Sequence, residues 1–161
     1  MDVNNAINKL LVEFMKSTPG ILQILFSDAT GLVLSKVTNM DTAESDFEGI
    51  ASISTALYLG MAELNLGELG FNQAEFSDRN LCLFGVTREY VLIAITRKKA
   101  PVKKIKAAMK ELRQEVSTQL NLLKTSQTIE IKQEELYEKS KTLSEDDFNK
   151  ELEKLLDELT F

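Results

Sequence analysis

An α+β domain built on an antiparallel sheet is the fold class that this sequence predicts. Three observations support the prediction: short apolar runs of strand length between tight turns, longer segments with apolar residues at steps of three and four, and the order of the two along the chain. That order is α-β-β-α-β-β-β-α. We expect a five-stranded antiparallel sheet with helices on both faces over residues 1–124, followed by an acidic helical C-terminal extension over residues 125–161.

The chain starts with a predicted helix and hairpin. Residues 2–17 carry apolar side chains at helical spacing, and Pro19-Gly20 ends the helix. Branched apolar residues fill Ile21–Ser27, which predicts a strand. Asp28-Ala29-Thr30-Gly31 has Asp and Gly where a type I turn favours them, so Leu32–Val37 is predicted as the return strand.

The segment Ser45–Leu66 has the most unusual composition. Ser45 and Glu48 form a capping box, which predicts the start of a helix. Apolar residues then recur on one helix stripe: Phe47, Ile50, Ile53, Leu57, Met61 and Leu64. Most of the remaining residues are small: Gly49, Ala51, Ser52, Ser54, Thr55, Ala56, Gly60 and Ala62.

This helix lacks the charged face of a solvated helix. It carries no charged residue between Glu48 and Glu63, where a helix exposed to water would have Lys and Glu. We therefore predict that its own domain covers one side and a second protein covers the other, which indicates an interaction module rather than an enzyme. The alternative is a helix buried on all sides within a monomer, for which the domain is small.

Three short strands and a helix complete the predicted domain. The strands are Phe71–Phe76, Leu81–Val86 and Tyr90–Thr96. The first is polar enough for an edge strand, whereas the third is continuously apolar and suits the centre of the sheet. Pro101 begins a helix that we expect to end near Leu123. Its buried stripe consists of Val102, Ile105, Met109, Leu112, Val116 and Leu120.

The C-terminal extension has helical signals of its own. Ser126-Gln127-Thr128 is a predicted joint, and Ser144 is predicted to cap a second helix. The apolar face of that helix consists of Phe148, Leu152, Leu155, Leu156 and Leu159. This face either folds back on its own domain or binds a partner, and the sequence does not separate the two.

Charge divides the chain into two parts. Residues 126–161 hold eleven acidic and five basic residues, whereas residues 1–125 hold fourteen of each, so the net charge of −6 resides in the extension. Within the neutral part, Arg97–Arg113 contains eight basic residues against Glu111 alone. We consider three interpretations: a solvated helix face, a surface for nucleic acid or anionic lipid, and a docking surface for the extension or an acidic partner. No aromatic residues interleave with the lysines as base stacking requires, so we expect no nucleic-acid binding.

Composition excludes several catalytic chemistries. The chain has no His, the commonest general base and metal ligand, and Cys82 is its only cysteine. Its seven glycines are scattered, so no phosphate loop is present. We expect no catalytic residue, no cofactor and no metal site. Arg79 and Arg88 are interpreted as solubilising turn residues rather than catalytic arginines.

The same features predict a cytoplasmic protein. No apolar run approaches the roughly 20 residues of a membrane span, so we expect no direct membrane insertion. Met1–Asn5 lacks the basic start and apolar stretch of a secretory signal. A single cysteine permits no intrachain disulfide, and we expect Cys82 to be a buried strand thiol.

Three pieces of sequence resemble the roadblock family: Pro19-Gly20-Ile21, Asp28-Ala29-Thr30-Gly31-Leu32-Val33 and the small-residue helix Ile50–Ala62. The family is related to dynein light chains and includes the bacterial polarity regulator MglB and subunits of the Ragulator scaffold. The resemblance covers about residues 2–122, and the acidic helical extension lies beyond it. None of these pieces is catalytic, so they specify the fold better than the function.

The resemblance implies a dimer that acts on a GTPase. Family members dimerise by pairing the sheet edge that corresponds to Phe71–Phe76 and by packing side by side the helices that correspond to Ser45–Leu64. Many of them bind small Ras-like GTPases as scaffolds or activators. We therefore predict a homodimer, or a dimer with a roadblock paralogue, that binds a small Ras-like GTPase and stimulates its GTP hydrolysis. The alternative is a structural adaptor subunit without any GTPase-activating role.

The predicted interface has two parts. Ser52, Ala56 and Gly60 lie four residues apart and form a ridge of small side chains that permits close helix approach. The predicted helix surface consists of Ser52, Ala56, Leu59, Gly60 and Glu63. The predicted pairing edge consists of Phe71, Gln73, Ala74, Glu75 and Phe76.

Overall fold

A computed structural model of the chain describes residues 3–40, 46–64, 70–141 and 144–159. The helices and strands, in chain order, are α1 (Val3–Ser17), β1 (Ile21–Asp28), β2 (Val33–Thr38), α2 (Phe47–Ala62), β3 (Phe71–Glu75), β4 (Arg79–Gly85), β5 (Tyr90–Arg97), α3 (Val102–Ser140) and α4 (Glu145–Leu159). The chain divides into two compact units, Met1–Gln119 and Leu120–Phe161. The predicted α+β order of the first unit is confirmed.

The five strands form one antiparallel sheet in the order β2-β1-β5-β4-β3. As predicted, the apolar strand β5 lies at the centre of the sheet and β3 lies at an edge. Val91, Leu92, Ile93 and Ala94 are all fully buried, because helices cover both faces of β5.

Neighbouring residues of single strands show which helix covers which face. In β4, Leu83 packs in a cluster with Phe47, Ala51 and Tyr58 of α2, while the ring of the next residue, Phe84, lies beneath the guanidinium of Arg113 in α3. Side chains alternate between faces along a strand, so α2 and α3 cover opposite faces.

The position of α1 follows from the same alternation in β2. The Ser35 hydroxyl donates to Asn8 of α1 at 3.2 Å, whereas the Nζ of Lys36 lies 4.0 Å from the centroid of the Phe47 ring in α2. Helices α1 and α3 therefore share the face opposite α2. The predicted stripe of α3 lies in this layer: Ile105, Met109, Leu112 and Val116 are buried, whereas Val102 and Leu120 are half-buried.

The turn between β1 and β2 is organised by one carboxylate. The Asp28 Oδ1 atom accepts hydrogen bonds from the Thr30 amide at 2.8 Å, the Thr30 hydroxyl at 2.6 Å and the Leu32 amide at 3.0 Å. These bonds favour the ionised form, the Thr30 hydroxyl most of all, so the pKa of Asp28 is lowered from its usual value of 3.8.

We expect Asp28→Ala to destabilise the fold by about 1 kcal/mol at neutral pH, since the turn loses these acceptor bonds. Because folding lowers the pKa of this carboxyl, its stabilisation is fully present above the usual value of 3.8 and is lost as the pH falls through the lowered value. Urea unfolding at several pH values checks this, with Asp78→Ala as the control for removing an exposed turn carboxylate. A difference from wild type that stays constant down to pH 2 would contradict the role of the ionised form.

The start of α2 differs from the prediction. The N-cap is Asp46, whose Oδ1 accepts from the Gly49 amide at 2.8 Å, so the predicted box of Ser45 and Glu48 is wrong in position. Asp46 serves because a carboxylate caps at least as well as a hydroxyl. Ser45 and Leu66, the predicted ends of the helix, lie outside the described residues.

The end of α3 also differs. The helix does not end near Leu123 but continues to Ser140, and the predicted joint at residues 126–128 is helical. Hydroxyl residues do not interrupt it because they bond back along the helix: Thr125 donates to the Asn121 carbonyl and Ser126 to the Leu122 carbonyl, both at 3.0 Å. The functional boundary between residues 124 and 125 stays a prediction.

The second unit contains the last part of α3 and the helix α4. Ser144 caps α4 as predicted, with its hydroxyl 2.7 Å from Asp147 Oδ2 and 3.4 Å from the Asp147 amide nitrogen. Phe148 is half-buried and Leu152 is exposed. The predicted apolar positions Leu155, Leu156 and Leu159 lie outside the described side chains. No helix among the described residues is both long and apolar enough to cross a membrane.

Candidate functional site

The outward side of α2 is the candidate site. The helix turns Phe47, Ala51, Ser54, Thr55 and Tyr58 towards the sheet, where all five are buried. Small residues fit this side because the helix lies close to the strands: the hydroxyls of Thr55 and Ser27 are 3.2 Å apart. The side of the helix that faces away from the sheet is exposed and uncharged between Glu48 and Glu63.

The apolar stripe predicted for this helix is divided between the two sides. Phe47 is buried, but Ile53 is 71% exposed and Leu57 is 45% exposed. Both are large apolar residues on the surface of a single chain, and their sequence spacing alone indicated burial. The interpretation of the stripe as one covered face is therefore wrong for one isolated chain.

The five residues predicted as the helix surface all lie exposed on α2 or at its C-cap. They are Ser52, Ala56, Leu59, Gly60 and Glu63, here called the outer surface. Their exposure leaves room for a protein partner; that they form an interface stays a prediction. Ser52 also has a role within the chain, because a Cβ atom on Gly31 of the β1–β2 turn would lie 2.8 Å from the Ser52 Cα.

The two flanks of α2 have different neighbours. The Ser52 flank lies against the β1–β2 turn, as the contact with Gly31 shows. The Ile53 flank borders a groove of about 520 Å³ whose other wall is the β3–β4 turn, including Phe76 and Arg79. Phe76 is 59% exposed. Ile53, Leu57 and Phe76 together are here called the edge patch, and sequence reasoning found only Phe76 among them.

The backbone of β3 is paired on one side only, since β3 ends the sheet. Its partner is β4, with Phe71 opposite Phe84 and Glu75 opposite Asn80. An edge strand of this kind presents N–H and C=O groups that another strand can pair with. The predicted edge residues Phe71, Gln73, Ala74 and Glu75 are confirmed as edge-strand residues, and their pairing with a second copy stays a prediction.

Side chains of β3 point alternately to the two faces of the sheet. The Phe71 ring lies on the α3 face, where the Lys106 Nζ is 5.8 Å from its centroid. Gln73 and Glu75 share that face by alternation, and Ala74 and Phe76 lie on the α2 face. The Glu75 carboxylate pairs with Lys98 at 3.1 Å and keeps a side-chain exposure of 68%.

The candidate reactive side chains of the domain are Cys82, the acidic residues, Arg79 and Arg88. Cys82 is buried in β4, and burial raises the pKa of its thiol to about 11, so it carries little thiolate at neutral pH. Among the described residues, no group of three or more Cys, Asp or Glu side chains is placed to hold a metal ion. Arg79 lies beside the groove, with its Nη1 3.7 Å from the Met40 sulfur, and Arg88 is exposed at the β4–β5 turn.

Comparison with known proteins identifies the fold. No protein-family model and no curated protein matches the sequence. The structure of a Roadblock/LC7 domain from Streptomyces avermitilis is similar to this one. The alignment covers 70% of this chain and 96% of that domain, with a TM-score of 0.62 and 19% sequence identity. This chain has the roadblock fold. The alignment with gliding protein MglB from Thermus thermophilus covers 74% of this chain and 91% of that protein, with a TM-score of 0.66 and 16% sequence identity.

A third similar structure is MglB with a tetrameric arrangement. The alignment covers 74% of this chain and 90% of that protein, with a TM-score of 0.65 and 17% sequence identity. At such identities the roadblock likeness establishes the fold, and function has to be argued from the surface. The predicted resemblance and fold class are confirmed.

Proposed function

We propose that this protein is a cytoplasmic, non-enzymatic, homodimeric roadblock scaffold that binds a small Ras-like GTPase. The observation that carries the proposal is the exposed, uncharged side of α2 beside an unpaired sheet edge. One copy leaves both features open, and a second copy would cover one flank of α2 while leaving its outer surface available.

Dimerisation is supported by the edge patch and the backbone of β3. Ile53 and Phe76 are more than half exposed, although large apolar residues gain free energy when they are removed from water. Strand pairing across β3 would bring the edge patches of two copies together on the α2 face. The MglB structure with a tetrameric arrangement supports self-association of this fold.

GTPase binding is proposed for the outer surface, because this part of α2 points away from the sheet edge. In a dimer, the outer surfaces of two neighbouring α2 helices would form one broad, uncharged platform. The resemblance to roadblock proteins that bind Ras-like GTPases is the support for this partner. Such a platform would stimulate GTP hydrolysis by holding the mobile switch segments of the GTPase in one arrangement.

We expect Ala56→Arg to reduce GTPase binding at least tenfold and to leave the dimer intact, because a long cation would occupy the centre of the outer surface. Ala107→Arg, at an exposed position of α3, is the matched control. The measurement is titration of a small Ras-like GTPase, loaded with GDP or a GTP analogue, against the full chain. Equal affinity of both variants and wild type would contradict the assignment of this surface.

A purely structural adaptor is the second candidate. It is favoured by the lack of any Lys or Arg in α2 that could reach a bound nucleotide. Single-turnover GTP hydrolysis by the bound GTPase, with and without this protein, separates the two. An unchanged rate together with tight binding would favour the adaptor, whereas a faster rate would support the activator.

A further inference from the structure

We propose that two copies pair their β3 strands about a two-fold axis at Gln73, and that Glu75 of each copy contacts Lys106 of the other. This inference rests on the proposed dimer and adds its register. Three features support this register: the backbone groups that β3 directs outward, the space beside Gly70 and the cations on α3.

The phase of the β3–β4 ladder determines which groups of β3 point outward. The Phe76 amide donates to the Arg79 carbonyl at 3.0 Å, which makes these two residues a hydrogen-bonded pair. Hydrogen-bonded and non-hydrogen-bonded pairs alternate along an antiparallel ladder. The backbone groups of Asn72 and Ala74 are therefore directed to β4.

The other β3 residues present their N–H and C=O groups at the open edge: Phe71, Gln73 and Glu75. A two-fold axis at Gln73 places Gln73 opposite its copy and Phe71 opposite Glu75, so the outward groups of all three residues are satisfied. An axis at Asn72 or Ala74 would leave one of the three without a partner inside the strand. An axis at Glu75 would place two carboxylates opposite each other, which is unfavourable.

Side chains on the α2 face fit the same register. With the axis at Gln73, Phe76 of one copy lies opposite Gly70 of the other. Phe76 is a large aromatic side chain, and among the described residues no atom lies within 4 Å of the position that a Cβ on Gly70 would take. The aromatic ring thus meets open space over a glycine, a cross-strand arrangement that protects an edge glycine.

The charges on the α3 face are also compatible with a two-fold axis at Gln73. Glu75 of one copy lies opposite Phe71 of the other, and the Nζ of Lys106 is already above that Phe71 ring. The Glu75 carboxylate has acceptor capacity beyond its bond to Lys98, since an ionised carboxylate has about four lone-pair sites. Each dimer then contains two symmetric Glu75–Lys106 pairs between copies.

Cross-linking tests the axis directly. Cys82 lies opposite Gln73 in the β3–β4 ladder, so the full chain carries Cys82→Ala to prevent an intrachain bond. Adding Gln73→Cys should then give a disulfide-linked dimer, because the two Cα atoms would be about 5.5 Å apart, within disulfide range. Asn72→Cys and Ala74→Cys should not cross-link, because their copies are offset by two residues, about 7 Å along the strand. Cross-linking at residue 72 or 74 instead would overturn the register.

A charge exchange tests the pair in the native-cysteine chain. We expect Glu75→Lys and Lys106→Glu each to raise the dimer dissociation constant about tenfold, because two symmetric pairs become like-charged. The double variant should restore dimerisation to within about threefold of wild type. Lys104→Glu, on another side of α3, is the control and should have no effect. A double variant that dimerises no better than either single variant would overturn the proposed pair.

Failure of the register and failure of the dimer give different results. A wild-type chain that is monomeric at all concentrations contradicts the proposed homodimer and this inference with it. A dimeric wild type without the Gln73 cross-link and without charge-exchange rescue contradicts the register alone. Both sets of variants leave the outer surface of α2 unchanged.

Discussion

Replacing Ile53 with aspartate is expected to turn the proposed dimer into a monomer. Ile53 is 71% exposed in one chain, so the substitution removes little from the fold of that chain. In the dimer each copy would bury one Ile53, and the two together contribute roughly 3–6 kcal/mol. The dissociation constant should therefore rise about 10²- to 10⁴-fold, and an unpaired carboxylate in an apolar contact raises it further.

Light scattering over a range of concentrations measures this effect. Wild type should have twice the 18.1 kDa mass of one chain, and Ile53→Asp should have that of a single chain. Leu32→Asp is the control, because Leu32 is 61% exposed at the β1–β2 turn, far along the sheet from β3. A thermal unfolding transition confirms that the Ile53 variant is folded. A folded variant that keeps the doubled mass would contradict the edge patch as the contact between copies.

Alanine at two glycines should change stability in opposite directions. Gly31 has φ +87°, and its Cβ would lie 2.8 Å from the Ser52 Cα. An L side chain there is strained by about 1–2 kcal/mol, and pushing against the α2 backbone adds about 1–3 kcal/mol. We expect Gly31→Ala to lower the free energy of unfolding by about 2–5 kcal/mol.

Gly60 lies in the exposed part of α2, where a Cβ would meet no atom of the described residues within 4 Å. Alanine is a better helix former by about 0.8–1.0 kcal/mol, so Gly60→Ala should stabilise the fold by up to that amount. Urea unfolding at one fixed protein concentration compares the two variants, since dimerisation makes stability depend on concentration. A stabilised Gly31→Ala would show that the turn does not lie against α2.

The helix Phe47–Ala62 shows how far sequence patterns reach. Its existence and its lack of charge followed from the sequence, and so did the exposure expected for Ala56 and Gly60. The side that meets the sheet did not follow, because apolar spacing marks several candidate stripes on so neutral a helix. Ala51 and Thr55 pack against the strands, whereas Ile53 is exposed, because helix and sheet lie too close together for larger side chains at those two positions.

Helix α3 shows a second limit. Its start at Val102 and its buried residues were predicted, but its length was not. Ser126 and Thr128 indicated a joint because hydroxyl residues favour caps and turns. Inside a helix the Ser126 hydroxyl instead bonds to the Leu122 carbonyl, and no Gly or Pro is present after Pro101 to end the helix.

The sequence by itself determined the order of helices and strands, the central and edge positions of β5 and β3, the cap at Ser144 and the location of the negative charge. These features depend on local periodicity, turn chemistry and composition, all of which can be read from residues close together in the sequence. Only the tertiary structure decided which flank of α2 borders the sheet edge and that Ile53 and Phe76 share one groove. Such neighbourhoods arise from packing between residues far apart in the chain, and no local pattern encodes them.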